Sequence, residues 1–129
     1  MTATATWSEN ELAAVDTRDE VRISSLRGDG TLSSSRIIWA VRLGEDVYVR
    51  SVNGRAAAWF RGTRARHEGR IQVGGLSKDV TFIDIDEADE IEELIDKAYA
   101  SKYRNYARSI IDHINSPEAR AATIRLDPR

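Results

Sequence analysis

The sequence predicts a mainly β protein of the α+β class, built as a six-stranded antiparallel barrel with peripheral helices. Six short segments have the apolar patterning of strands. Little helix separates them, whereas a parallel sheet needs long crossover connections, so we expect antiparallel pairing. Sustained helical periodicity is confined to residues 91–114. A barrel of six strands has room only for side chains, so any ligand is expected outside it, at an edge or between subunits.

Composition narrows the possible classes of protein. The 129 residues are expected to form one domain, 1–129. The absence of cysteine excludes disulfides, thiolate catalysis and zinc–thiolate sites. A net charge of -2 gives no overall attraction to nucleic acid. No apolar run approaches the roughly 20 residues of a membrane span, and the N-terminus lacks a signal-peptide pattern. We therefore expect a cytoplasmic protein with no nucleic-acid or membrane partner.

The elements before and after the centre of the chain follow from local patterns. Ser8 and Glu11 form a capping box, which predicts that a helix begins there, near the N-terminus of the chain. Asp86 is expected to cap the late helix, with Asp89 at the capping-box position, and Pro117 to end it. The predicted order is a helix over 9–15, a strand over 20–26, a hairpin over 36–51, a short helix over 55–61, a second hairpin with strands near 71–73 and 78–85, the late helix, and a last strand over 122–126.

The first hairpin is the segment around which the chain is organised. We expect it to close at the loop Gly44-Glu45-Asp46. The core face then pairs Leu43 with Val47, Val41 with Val49 and Trp39 with Ser51, and the opposite face pairs Arg42 with Tyr48 and Ala40 with Arg50. The opposite face would carry two guanidiniums and no carboxylate of its own, which predicts that these arginines bind an anion.

Charge is distributed unevenly along the chain. Residues 36–70 hold eight arginines against three acids, whereas residues 84–96 hold eight acids and no base. The acids are explained by a helix start, where carboxylates are favourable. The arginines have two interpretations: they bind an anionic ligand, or they are solvated or, like Arg50, paired to an acid of a neighbouring helix.

Several motifs together resemble one known family. These motifs are Ile-Trp-Ala-Val-Arg at 38–42, Tyr-Val-Arg-Ser at 48–51, Gly-Gly at 74–75, Asp-Lys-Ala-Tyr at 96–99 with Lys-Tyr at 102–103, and Ala-Thr-Ile-Arg-Leu-Asp-Pro at 122–128. The chain resembles domain of unknown function 2255, within the flavin-binding class of split β-barrels. Its better-known relatives, pyridoxamine-phosphate oxidases and deazaflavin-dependent nitroreductases, hold a flavin-type cofactor at a dimer interface. The resemblance therefore implies a split β-barrel, a homodimer, and FMN or a deazaflavin coenzyme as cofactor.

The resemblance also implies a set of cofactor-binding residues. The phosphate-cradling strand end of the nitroreductases resembles Arg50, Ser51, Asn53 and Gly54, and their tryptophan segment resembles residues 59–61. Val52 stands where those enzymes usually carry lysine or a second glycine, residues 57–58 replace a proline, and residues 62–63 replace Asn-Leu. With the hairpin arginines included, the candidate set is Arg42, Arg50, Ser51, Asn53, Gly54, Trp59 and Arg61.

The aromatic residues and histidines have competing interpretations. Trp59 is expected either against the cofactor ring or in core or dimer packing, and Trp39 in the core. Tyr99 and Tyr103 are candidate catalytic proton donors, although a helix packed on a barrel would show the same spacing. His67 and His113 have no partner at ligand spacing, so no metal site is predicted.

Three functional hypotheses follow from these residues. The first is a homodimeric, oxidoreductase-like protein that binds FMN or a deazaflavin and acts on a small organic molecule; if it is an enzyme, the cofactor carries the hydride chemistry. The second is a cofactor-free protein that binds or isomerises another small molecule in the same groove, which the lysine missing at Val52 favours. The third, a nucleic-acid module, fits the arginines but is opposed by the acidic helix.

Overall fold

The computed structural model of the chain describes residues 6–64, 66–85 and 90–129. Within these ranges the elements are α1 (Glu9–Thr17), β1 (Val21–Ser25), β2 (Arg36–Ile38), β3 (Ala40–Leu43), β4 (Asp46–Arg50), a 3-10 turn (Gly54–Ala56), α2 (Ala58–Thr63), β5 (Glu68–Val73), β6 (Leu76–Asp84), α3 (Ile91–Lys102), α4 (Arg108–Ile114), α5 (Pro117–Arg120) and β7 (Thr123–Pro128). The mainly β, antiparallel class is confirmed. No helix within the described ranges is long and apolar enough to cross a membrane.

The sheet closes on itself at Trp39. Its strands follow the order β2-β1-β5-β6-β7-β4-β3, and all of the pairings are antiparallel. The strands at its two ends, β2 and β3, are consecutive in the chain and are separated by Trp39 alone. The sheet therefore curls into a nearly closed barrel. It has seven strands rather than the predicted six, because the first arm of the hairpin is divided between the two sheet ends.

The register of the first hairpin differs from the predicted one by one residue. Leu43 pairs with Asp46 and Val41 with Tyr48, so the loop has two residues instead of three. Gly44 begins this loop with a φ of 63°, a conformation that glycine adopts at little cost. Because side chains alternate across a strand, this shift changes which side chains of β3 share a face with those of β4. The predicted pairing of Val41 with Val49 on a single core face was therefore wrong.

Two apolar cores lie on opposite sides of this hairpin. The first fills the barrel and includes Leu12, Val21, Ile23, Ala40, Val47, Val49, Ile71, Val80, Phe82, Ile124 and Leu126. The second lies between the outer face of the hairpin and the late helices and consists of Val41, Tyr48, Ile95, Tyr99, Tyr103 and Ile114, with Trp39 packed against it. The outer face, which carries Val41, Tyr48 and Arg50, is thus covered by α3 and α4, whereas Arg42 pairs with Val47 on the opposite face.

The helices largely follow the sequence signals. The predicted capping box at α1 is present, with both hydrogen bonds between Ser8 and Glu11 formed. The late helix breaks between α3 and α4, close to the expected bend near residues 104–105. Pro117 does not end that helix, since α4 stops at Ile114 and the proline occupies the first turn of α5. The expected caps at Asp86 and Asp89 lie outside the described residues.

Candidate functional site

Arg50, at the end of β4, is buried and neutralised by the late helices. Its side chain has no exposed surface, and its guanidinium contacts Glu92 Oε1 at 2.9 Å and Asp96 Oδ1 at 2.5 Å, both on α3. Further hydrogen bonds go to Thr123 Oγ1 at 2.9 Å and to Asn115 Oδ1 at 3.0 Å. The interpretation in which Arg50 pairs with acids of the neighbouring helix is the one that the structure shows.

Arg42 also has carboxylates nearby. Its Nη2 lies 3.6 Å from Glu9 Oε2 and its Nη1 lies 3.8 Å from Asp16 Oδ2, both on α1, and its Nε donates to the Gly44 carbonyl. The expectation that Arg42 and Arg50 share one hairpin face without carboxylates was therefore wrong, since the register puts them on opposite faces and each has acids nearby. The physical reason is that acids distant in sequence, on α1 and α3, fold over the two arginines, and a register argument confined to the hairpin does not include them.

A groove of about 630 Å³ lies outside the barrel, beside the point where the sheet closes. It is lined by Arg22, Ser35, Arg36, Ile37, Ile38, Trp39, Arg50, Val52, Asn53, Trp59, Ile110 and Ile114. We call it the main groove. Its volume lies within the range of small-molecule sites, and none of these lining residues is acidic.

The main groove combines free positive charge with aromatic walls. Among the described residues, Arg36 forms no ion pair, and Arg22 donates only a 3.4 Å hydrogen bond to Ser35 Oγ. Trp39 is held flat against Tyr103, with ring centroids 3.8 Å apart and planes 4° apart. Trp59 packs partly on the barrel core and lines the groove with its remaining surface. This arrangement suits a planar ligand that carries an anionic group.

The structure separates the predicted cofactor residues into two groups. Asn53 and Trp59 line the main groove, and Arg50 contributes to its floor. Arg42 and Arg61 do not line it, and Arg61 is exposed on α2. Gly54 is buried, has a φ of 74°, and donates its amide to the Ser51 carbonyl rather than to the groove.

Ser51 is a separate case. Its side chain is buried, and its hydroxyl oxygen has no hydrogen-bond partner in the described part of the chain. Unpaired buried hydroxyls are uncommon because they forfeit the hydrogen bonds that water would make. Ser51 therefore keeps an unused hydrogen-bonding group at the strand end that the resemblance indicated.

Tyr99 and Tyr103 both donate their phenol protons to backbone carbonyls. Tyr99 donates its phenol proton to the Trp39 carbonyl at 2.8 Å, and Tyr103 donates to the Asp19 carbonyl at 2.7 Å. Both rings are fully buried, and burial raises the pKa of each phenol well above its ordinary value of 10. Neither lines the main groove. Their role in the structure is to fix Trp39 and the turn after α1, which is the packing interpretation of their spacing.

Sequence reasoning missed Arg22 and Arg36 as groove residues. The register places Arg22 opposite Ile37 and Ile23 opposite Arg36, so both arginines lie on the β1–β2 ladder at one end of the sheet. Arg22 has a local signal, since it alternates with two buried residues of β1. Its proximity to Arg50 on β4 depends on the barrel closing, and short-range patterns do not encode that closure. Neither histidine lines the groove, and the described residues contain no cluster able to hold a metal ion.

The closed antiparallel sheet with an external groove defines the class of protein: a split β-barrel. The chain belongs to the family described as "Uncharacterized protein conserved in bacteria (DUF2255)", whose model matches residues 11–126. The resemblance stated from the sequence motifs is thereby confirmed. No curated protein sequence matches the chain significantly.

Solved structures show the same fold at low sequence identity. HutZ, a heme storage protein from Vibrio cholerae, is 15% identical with a TM-score of 0.66, over 94% of this chain and 89% of that one. An F420-H2 dependent reductase is 15% identical with a TM-score of 0.61, over 85% and 94%. An FAD-binding protein from Mesorhizobium loti is 19% identical with a TM-score of 0.57, over 99% and 94%. These likenesses establish the fold.

Proposed function

We propose that the protein is an oxidoreductase-like homodimer that binds a flavin-type cofactor, FMN or a deazaflavin, in the main groove and acts there on a small organic molecule. The observation that carries this proposal is that one groove is lined both by arginines without ion pairs in the described chain, Arg22 and Arg36, and by two tryptophans. Flavin-type cofactors combine a planar ring with a phosphate tail, and such a ligand matches both features. The similar split barrels that bind F420 or FAD support this choice.

The ring system would lie between the tryptophans and the apolar lining. Trp39 is fixed by its stack on Tyr103, so it offers a rigid surface with little conformational entropy to lose on binding. Ile38 and Ile114 are buried and add apolar surface to the same groove. The ring would carry the hydride chemistry, and the protein would supply its position and surroundings.

The anionic tail would bind Arg22 and Arg36. Each of these guanidiniums can give a phosphate charge-assisted hydrogen bonds, and Asn53 lines the same groove. This assignment replaces Arg42 and Arg50, whose charges are balanced by carboxylates. Ser51 does not line the main groove, so its unpaired hydroxyl stays outside the proposed site, and Tyr99 and Tyr103 leave the catalytic set.

A second copy of the chain would complete the groove. Three large apolar side chains at its rim are unusually exposed: Ile37 at 49%, Ile110 at 45% and Val52 at 37%. Such a rim is favourable when another protein surface covers it and unfavourable in water. A homodimer would bury this rim and exclude water from the bound ring.

A cofactor-free binding protein is the second candidate, and a specific observation favours it. The strand-end arginine, which the resemblance indicated as a phosphate ligand, is instead bound to Glu92 and Asp96. A protein that had lost its cofactor would still hold an anionic aromatic molecule in the same groove. Haem is less well supported, since the lining contains no histidine, cysteine, methionine or tyrosine to bind its iron.

Ligand-dependent melting separates these candidates. The purified protein is heated with FMN, with F420, or with the anionic aromatic dye 8-anilinonaphthalene-1-sulfonate, and a bound ligand raises the melting temperature. We expect FMN or F420 to do so, and Arg36→Ala to weaken that binding about tenfold, since one charge-assisted interaction is lost. Arg104→Ala, an exposed arginine outside the groove, is the matched control and should leave binding unchanged.

Two results would count against the flavin-type proposal. One is an unchanged melting temperature with both cofactors together with a clear rise with the dye, which would favour the cofactor-free alternative. The other is equal weakening by Arg36→Ala and Arg104→Ala, which would show that binding follows overall charge and not the main groove.

A further inference from the structure

A second, smaller groove opens beside the main groove. It has a volume of about 190 Å³ and is lined by Ser25, Arg27, Ser33, Ser34, Arg36, Ala58, Trp59 and Gly62. Arg36 and Trp59 line both grooves, so the two are contiguous across these side chains. We call this second space the side groove.

The lining of the side groove is suited to an anion. It contains three serines and two arginines and no acidic residue. Within the described part of the chain, neither Arg27 nor Arg36 forms an ion pair. The neighbouring carboxylate of Asp29 accepts hydrogen bonds from the Thr31 amide at 3.0 Å and the Thr31 hydroxyl at 2.7 Å. The Thr31 hydrogen bonds and, more weakly, the charge of Arg27 lower the pKa of Asp29, but the Arg27 and Asp29 side chains form no ion pair.

The serines are held in place by backbone hydrogen bonds. Ser33 Oγ accepts from the Ser25 amide at 2.9 Å, and the Ser33 amide donates to the Ser25 carbonyl at 2.8 Å. The Ser25 side chain is buried against α2, with its Oγ 3.4 Å from the position that a Cβ on Gly62 would take. Ser33 Oγ donates a 3.3 Å hydrogen bond to the Ser34 carbonyl, whereas Ser25 Oγ forms no hydrogen bond within the described residues. Ser25 is therefore the hydroxyl that would donate to an oxyanion, together with the two guanidiniums of the lining.

We infer that the side groove binds a second anionic group of the same ligand, beyond the group held in the main groove. This inference rests on the proposed function. The ring would occupy the main groove, the first phosphate would lie at Arg22 and Arg36, and the tail would pass Arg36 to reach Arg27 and the serines. The ligand class is therefore a flavin-type cofactor with a multiply anionic tail, rather than FMN. The second anion is either the second phosphate of a dinucleotide such as FAD or a tail carboxylate of F420.

A series of ligands with increasing tail charge tests this inference. Dissociation constants of riboflavin, FMN, FAD and F420 are measured by quenching of tryptophan fluorescence, for the full chain and for Arg27→Ala. We expect FAD or F420 to bind about tenfold more tightly than FMN, the size of effect that one charge-assisted contact supplies. Arg27→Ala should remove that advantage and leave FMN affinity unchanged. Arg104→Ala is the control, and the melting temperature of each variant confirms that it is folded.

The outcomes separate the two proposals and the two sources of the anion. A gain for FAD alone identifies a second phosphate, and a gain for F420 alone identifies a carboxylate tail. Equal affinities for FMN, FAD and F420, or an Arg27→Ala variant that weakens FMN as much as the longer ligands, would overturn the inference while the proposed function stands. If none of the four ligands binds, the proposed function fails and this inference fails with it.

Discussion

Arg50, which its sequence motif indicates as a cofactor ligand, instead links a strand to the late helices. Its guanidinium joins β4 to α3 through Glu92 and Asp96, and Asp96 also contacts Arg120 at 3.0 Å. Asn115, just after α4, accepts another of its hydrogen bonds. One oxygen of the buried Glu92 carboxylate has no hydrogen-bond partner in the described chain. Arg50 is therefore the cation that offsets the cost of burying the Glu92 carboxylate.

Replacing Arg50 with alanine is expected to destabilise the protein by about 3–5 kcal/mol, because the variant leaves the buried Glu92 carboxylate without its cation, although Asp96 keeps Arg120. The measurement is chemical denaturation of the variant and the parent chain. Arg61→Ala, at an exposed position on α2, is the control and should change the free energy of unfolding by less than about 0.5 kcal/mol. Similar small effects for both variants would show that the Arg50 network contributes little to stability.

Lys102 makes stability depend on pH. Its Nζ donates to the carbonyls of Val15 and Ala40, and burial lowers the pKa of this amine from 10.5 to about 8, although Asp16 and Asp19 oppose the shift. Between pH 8 and 10.5 the unfolded chain binds the Lys102 proton more strongly than the folded chain does. The contribution of this group to the free energy of unfolding therefore rises with pH across that window.

The test compares the parent chain with Lys102→Met between pH 7.5 and pH 9.5. The variant loses two hydrogen bonds and is expected to be less stable throughout, and the stability difference should widen as the pH rises. Measurements stop below pH 10, since the raised pKa values of Tyr99 and Tyr103 lower stability once unfolded tyrosines ionise. A difference that stays constant with pH would show that the Lys102 pKa is not lowered on folding.

At the scale of elements, β1 and β5 approach each other closely at Gly69. A Cβ at this position would overlap the Ser24 carbonyl oxygen and lie 2.6 Å from Phe82 Cζ. Both neighbours are fixed, one by the β1–β5 ladder and the other by the barrel core. The close approach of the two strands therefore requires a residue without a side chain.

Gly69→Ala is expected to cost at least about 2 kcal/mol of stability through overpacking. Gly28 offers a matched control, since nothing lies within 4 Å of its hypothetical Cβ. Gly28→Ala should stay within about 1 kcal/mol of the parent chain. Thermal unfolding of both variants gives the comparison, and a harmless Gly69→Ala would mean that the two strands can separate at this position.

The extent to which the sequence predicts this fold follows from the range of each signal. The capping box at Ser8 and the break between α3 and α4 depend on neighbours a few residues away, and both predictions were confirmed. The hairpin register depends on whether the loop has two or three residues. Because the predicted loop was one residue too long, the predicted pairing put β3 residues on the wrong faces relative to β4. The partners of Arg50 come from residues 42 to 73 positions away, which no local pattern contains.

The candidate site likewise contains residues that a sequence motif identifies and residues that only the fold brings in. Asn53 and Trp59 were found because a family motif indicated them, and both line the main groove. Arg22 and Arg36 were not in the candidate set, since their position depends on how β1 and β2 meet the other end of the sheet. The motif segment supplies Arg50, Val52, Asn53 and Trp59, and the fold of the barrel brings the other lining residues to them.

At the scale of the whole molecule, the exposed rim of the main groove predicts self-association. Ile110→Arg places a charge in the proposed interface and should shift the protein from dimer to monomer in light scattering, with its fold retained. Leu94→Arg is the control, since Leu94 is equally exposed, at 48%, but lies on α3 outside the groove. A parent chain that is monomeric at high concentration would contradict the proposed dimer.

Trp39 connects two properties of the molecule that are usually separate. It is the single residue between strands at opposite ends of the sheet, and it is also a wall of the main groove. A ligand bound against this indole would contact the residue that links β2 to β3 and closes the barrel. Ligand binding would therefore stabilise the closed barrel. We expect amide hydrogen exchange to slow more in β2 and β3 than in the other strands.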